Sequence, residues 1–172
     1  MIPGFIISII TFPGVIAHEF AHKLFCRLTG TKVIEVCYFR FGNPAGYVVH
    51  EPASTVWKHI AIGIGPFAVN TVIGFFIGLV ASTNVLHVER LEVVGAFLTW
   101  LGVSIAMHSF PSTGDAKGIW RAVWQKGSPV TARLVGTPLV VIIFLGAIGS
   151  VFWLDLVYGV TIAWGLPKLI LG

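Results

Sequence analysis

The chain has 172 residues, 56% of them hydrophobic and 10% charged, with a mean hydropathy of +0.91 and a formal charge of +4. A soluble domain carries about a quarter charged residues, so this composition excludes an ordinary soluble enzyme and reads as a polytopic membrane protein. The eleven basic residues are scattered among loops and form no stripe, which argues against a nucleic-acid partner and leaves the lipid bilayer as the first one.

The first apolar segment, residues 2–28, carries no charge from Ile2 to Ala17 and then reads His18-Glu19-Phe20-Ala21-His22. On a helix, residues four apart share a face, so His18 and His22 can hold one zinc ion. Glu19 is then placed to act as general base on a metal-activated water. An ionisable side chain at membrane depth costs about 2.5–3.5 kcal/mol and marks a functional site by default. The plain alternative is the wet end of a helix, followed by Lys23 and Arg27; a metal accounts for all three ionisable groups together. Because this segment carries the motif, no separate leader is expected. The sequence reads as one membrane-embedded domain over residues 1–172, with no attached peptide-binding module.

Residues 29–56 separate the first two spans. Lys32 to Phe41 is rich in β-branched and aromatic residues, Gly42 to Gly46 is a turn signal, and Tyr47 to His50 follows as a second short strand. A β-hairpin at the membrane surface is expected. Cys26 and Cys37, the two cysteines, lack a CxxC spacing and read as ordinary thiols.

Further spans are expected over residues 57–81, 91–110 and 134–154, with a shorter apolar segment, 156–171, containing Pro167 and Lys168. The second holds Asn70 and a Gly74/Gly78 step suited to close helix packing. Trp57, Trp124 and Trp153 fall near span ends, where indole rings favour the interface. His50, His59 and His87 read as interface or loop residues, and Glu35 and Glu51 as surface caps or pairs. The fold class expected is an all-α polytopic membrane protein of four to five transmembrane helices with a small membrane-surface β-hairpin.

Basic residues orient these spans. Lys32 and Arg40 follow the first, and Lys117, Arg121, Lys126 and Arg133 follow the third, whereas Arg90 after the second is offset by Glu89 and Glu92. The positive-inside rule then puts the amino terminus outside and the first and third loops in the cytoplasm.

A catalytic zinc takes three protein ligands and keeps a fourth position open. The chain has two aspartates. Asp155 follows the fourth span and is expected on the far face. Asp115 follows the third, on the side where the first span ends, and is expected as third ligand. Pro111 and Gly114 are expected to break the helix and fold the chain inward.

His18 to His22 in an apolar helix, with His108-x-x-Pro111 and Gly114-Asp115-Ala116 after a later span, resembles the site-2 protease family of intramembrane zinc metalloproteases. That family's second motif is Asn-x-x-Pro followed by Leu-Asp-Gly; His108, Gly114 and Ala116 depart from it. Gly65-Pro66 and Asn70 are similar to its intervening span, with Asn70 one residue late. The resemblance covers residues 12–120.

It implies a Zn2+ cofactor held by His18, His22 and Asp115, with Glu19 as the catalytic base. It also implies hydrolysis of peptide bonds in transmembrane segments of single-span substrate proteins, the site lying toward the cytoplasm. Asn70 would hold substrate backbone or an oxyanion, or pack behind the site. His108 is either an alternative ligand or a hydrogen-bonded pocket residue. Two other readings stand beside this one: a zinc-holding membrane protein that does not cleave, and a metal transporter. The general base Glu19 argues against the first, and the scarcity of polar residues in the last two segments against the second. Substrate identity and oligomeric state are not written in the sequence.

Overall fold

The structure is a computed structural model and describes residues 4–83 and 92–171. His87, Glu89, Arg90 and the first residues of the expected third span lie outside the described residues. The described chain runs α1 (Gly4–Ile10), α2 (Phe12–Leu28), β1 (Val33–Cys37), β2 (Tyr47–His50), α3 (Val56–Ala81), α4 (Glu92–Met107), α5 (Thr113–Trp124) and α6 (Val130–Gly149). After a short 3-10 turn, Ser150–Phe152, come α7 (Leu154–Val160), a π-turn over Thr161–Gly165, and α8 (Leu166–Leu171).

Among the described residues, three helical stretches are long and apolar enough to cross a bilayer: Val56–Ala81, Val130–Phe152 and Leu154–Leu171. α4 is apolar but shorter. The expected first span is not one rod. It divides at Thr11, whose backbone leaves the helical region (φ −111°, ψ 31°), and Pro13 then sits in the first turn of α2. The expected fifth segment joins α7, the π-turn and α8 into one 18-residue apolar path.

Small residues set the helix contacts. A Cβ on Gly14 would collide with the Ser104 carbonyl, so only glycine lets α2 approach α4 this closely; the Gly14 amide then donates to Ser104 Oγ at 3.1 Å. Gly74 meets Ala106 and the Gly102 carbonyl, and Gly78 meets the Ala163 backbone, so the Gly74/Gly78 step packs α3 against neighbours in its own chain.

The segment after Pro111 was expected as a loop and is α5. Its Ala116, Ile119, Ala122 and Val123 form one buried stripe. That stripe packs against Val56 and Ile60 at the start of α3 and Ala132, Val140 and Ile143 of α6 to form the core cluster.

α5 and α6 form an antiparallel hairpin: Gly136 lies against Val123, and Gly146 against Phe110, just before α5. At 1.5 Å per residue, α5 travels about 18 Å away and α6 about 30 Å back. Much of α6 therefore runs back alongside α5 toward the level of Phe110. Asp155, expected on the far face, instead lines the same cavity as Asp115.

β1 and β2 pair antiparallel, with Cys37 opposite Tyr47 and Val36 opposite Val48, and an irregularity between Val33 and Glu35. The connecting turn contains a cis Asn43–Pro44 bond and is closed by the Arg40 amide on the Ala45 carbonyl at 2.7 Å. Lys23 of α2 ties the hairpin down through the Tyr38 hydroxyl at 3.0 Å. Tyr47 OH donates to Glu35, and Lys32 pairs with Glu51 at 3.4 Å, so both glutamates make surface contacts. Cys26 is buried, Cys37 half-buried, and both are free thiols.

Candidate metal centre

α2 presents His18, Glu19 and His22 to a cavity of about 640 Å³. Glu19 and His22 are 8% and 7% exposed, which makes them interior groups that nonetheless border an open space. The other walls are the turn before α5, β2 with its preceding turn, and residues around the α6–α7 junction, among them Asp155.

Each imidazole is held from behind. His18 Nδ1 lies 2.7 Å from the His108 carbonyl, and His22 Nδ1 lies 2.9 Å from the Ile62 carbonyl. A carbonyl oxygen only accepts, so each Nδ1 carries a ring proton and each ring turns its Nε2 inward. The two Nε2 atoms face each other at 3.1 Å. Asp115 Oδ1 stands 3.4 Å from His22 Nε2. The three ligand atoms of His18, His22 and Asp115 lie within 4.8 Å of one another.

Three electron-pair donors converging in a buried space repel one another unless a proton or a metal ion sits among them. Two imidazole nitrogens and one carboxylate oxygen, with both imidazoles oriented by carbonyl partners, form a donor set of the kind zinc takes in open catalytic sites. The residues present therefore fit the metal. His18, His22 and Asp115 are the three that would hold it.

Asp115 is positioned by local helix chemistry. It is the third residue of α5, and its Oδ2 accepts from the Ser112 amide at 2.7 Å and the Ser112 hydroxyl at 2.6 Å. Ser112 Oγ in turn accepts from the Asp115 amide at 3.1 Å, completing a capping box. This leaves Oδ1 for the imidazoles. Burial alone would raise the Asp115 carboxyl pKa. The hydrogen bond and charge of His22, the charge of His18 and the Ser112 contact outweigh burial and hold it well below the usual carboxylate range. Gly114, expected as a helix breaker, lies inside the first turn of α5; the break falls at residues 108–112, around Pro111.

Asn70 and His108 take different places from the three candidate ligands. The Asn70 side chain is completely buried, does not border the cavity, and donates from Nδ2 to the His108 carbonyl at 3.0 Å. It reaches neither the cavity nor a substrate backbone within it. His108 borders the cavity, with its ring Nδ1 bonded to the Ser104 carbonyl at 3.0 Å and its own carbonyl accepting from His18 Nδ1. His50, expected as a loop residue, also lines the cavity.

Several contributors were not singled out from the sequence. The Ile62 and His108 carbonyls could not be, because any residue supplies a carbonyl. Ser112 could have been, since Ser-x-x-Asp ahead of an apolar stripe is a helix-start signal. Gly46 carries a further constraint: a Cβ there would lie 2.7 Å from Glu19 Cγ and 3.0 Å from the Tyr38 carbonyl. The hairpin thus closes directly over the glutamate.

Residues 11–116 match the model of a family described as putative zincin peptidase. That stretch contains His18, Glu19, His22 and Asp115 and ends just inside α5. The chain is also 26% identical over 106 residues to a Synechocystis protein described as a putative zinc metalloprotease. The aligned region covers 62% of this chain and 27% of the relative, so the match spans about a quarter of that protein's length. No solved structure matches.

Proposed function

The chain belongs to the putative zincin peptidase family, and on that premise we propose that it is an intramembrane zinc endopeptidase of the site-2 protease type. The observation that carries the proposal is the convergence of His18 Nε2, His22 Nε2 and Asp115 Oδ1 beside Glu19 in one cavity. The relatives' names support a zinc peptidase. The intramembrane reading rests on placement: the Ile62 carbonyl that orients His22 belongs to the 26-residue apolar helix α3.

Bound zinc would supply a Lewis acid that brings the pKa of water toward about 7 and polarises the scissile carbonyl. Glu19 takes the proton of the attacking water as its oxygen bonds to the carbonyl carbon. It then returns that proton to the amine nitrogen as the C–N bond breaks. A site that only stored metal has no use for a carboxylate in this position.

Substrate is taken to be a single-span membrane segment that unwinds locally, because an intact helix keeps its carbonyls in intrahelical bonds. Among the described residues β2 pairs only with β1, and Tyr47, Val48 and His50 line the cavity. Its unpaired edge is suited to hold an extended backbone by main-chain hydrogen bonds. By the positive-inside rule, the basic residues Lys117, Arg121, Lys126 and Arg133 support an orientation with the site toward the cytoplasm and the amino terminus outside.

Glu19→Gln tests the reading. The variant should keep its zinc while cleavage of a reconstituted single-span substrate falls by about 10²- to 10⁴-fold. Undiminished cleavage would remove the protease assignment.

A further inference from the structure

We propose that Asn70 is a positioning residue for metal binding, acting through the His108 carbonyl on His18, and not a group that contacts substrate. The inference rests on the zinc reading above and assigns one of the residues behind it.

The geometry is a three-part relay. His18 Nδ1 donates to the His108 carbonyl at 2.7 Å, and Asn70 Nδ2 donates to that same oxygen at 3.0 Å. His108 follows the last residue of α4, where helix carbonyls have lost their intrahelical partners and are free to turn. A lone acceptor there would tilt between several directions. A second donor fixed in the middle of α3 restricts it to one, and that direction sets the plane of the His18 ring. Partners of this kind fix tautomer and ring orientation in metal-bound histidines.

The remaining bonds of Asn70 point the same way. Among the described residues, its buried Oδ1 has no hydrogen-bond partner. An apolar residue of similar shape would avoid that unsatisfied acceptor, so what the asparagine contributes here is its N–H donor alone. The neighbouring positions brace the same turn. Thr71 Oγ1 lies 3.2 Å from Ser109 Oγ and 2.7 Å from Tyr158 OH. α3 therefore grips residues 108 and 109 through two consecutive side chains, with α7 behind them. A substrate or oxyanion donor would have to border the cavity, and Asn70 does not.

The experiment measures metal, not turnover. Metal-free wild type, Asn70→Leu and Asn70→Asp, each purified in detergent, are titrated with zinc against a chromophoric chelator. Cobalt(II) spectra are then recorded for each. Asn70→Leu should bind zinc about ten-fold more weakly, with a shifted cobalt d–d band from the reoriented His18. Asn70→Asp keeps the shape but turns an acceptor toward the carbonyl, and should lose at least as much. It decides the question if the leucine variant does not fold. Zinc affinities within about two-fold of wild type and unchanged cobalt spectra, with the loss confined to kcat, would overturn the inference. Wild type that binds no zinc would instead sink the metal reading itself, and this inference with it.

Discussion

The Nε2 atoms of His18 and His22 face each other at 3.1 Å although the Nδ1 proton of each ring is already committed to a carbonyl. With Asp115 Oδ1 at 3.4 Å from His22 Nε2, the metal-free protein needs a proton among these three atoms, a place that a metal ion would take over. Zinc should therefore stabilise the folded state markedly. At a free concentration 100-fold above its dissociation constant, a ligand specific to the folded state contributes about 2.7 kcal/mol. For a chain of this size that corresponds to a rise in Tm on the order of 5 °C. Differential scanning fluorimetry with and without zinc, after chelator treatment, reads this directly; no shift would mean the site does not take the ion.

Ser112 controls how Asp115 is presented. Its hydroxyl and amide hold Oδ2, so Oδ1 faces the imidazoles. Ser112→Ala removes the cap, at about 1 kcal/mol of stability. It also frees the carboxylate to rotate, and zinc affinity should fall about 10-fold. Asp115→Asn should fall further. Acid behaviour separates the two roles. A carboxyl with a depressed folded pKa stabilises the fold at every pH above its unfolded value of about 3.9, and that contribution is lost as pH falls through the folded value. The Tm of metal-free protein should thus be insensitive to this group near neutrality and decline below about pH 4. In Asp115→Asn that decline should be shallower, as thermal melts across the acid range will show.

The unpaired edge of β2 gives a third expectation. Proline at Val48 or Val49 removes a main-chain donor from the strand beside the cavity. Cleavage should fall by about 10-fold or more while zinc content stays at the wild-type level. Full activity in both variants would count against strand pairing with substrate.

The His18, His22 and Asp115 cluster was legible because each part had a local signature. The His18–His22 spacing works only on a helix, and Asp115 followed a helix break at Pro111. The hairpin was legible from its β-branched run and turn residues. Asp155 was misplaced because α5 carries the chain away from the end of α4 before α6 brings it back. Nothing in the composition of α6 reveals that it retraces α5; that depends on the buried stripe Ala116, Ile119 and Val123, which the intervening charges Lys117 and Arg121 obscured. Asn70 showed the opposite failure. Its presence in an apolar helix marked it as functional, but whether it faced the cavity or the adjacent helix end depended on side-chain direction, which a sequence does not carry.

Gly46 links the hairpin to Glu19, the proposed general base. An added Cβ would stand 2.7 Å from Glu19 Cγ, with backbone carbonyls of Cys37 and Tyr38 at 3.1 and 3.0 Å on the other side. The Cys37 carbonyl belongs to a paired strand and cannot retreat easily, so Glu19 must move or the hairpin must lift. Neither response touches His18, His22 or Asp115. Gly46→Val should therefore lower kcat by about 10²-fold, approaching the loss expected when a general base is misplaced. Zinc affinity should stay unchanged. Comparing the variant with Glu19→Gln and with the double variant separates the causes. If the glycine acts through the glutamate, the double variant should be no slower than Glu19→Gln alone. Additive losses would mean that the hairpin contributes through substrate binding, which a raised KM in Gly46→Val would show independently.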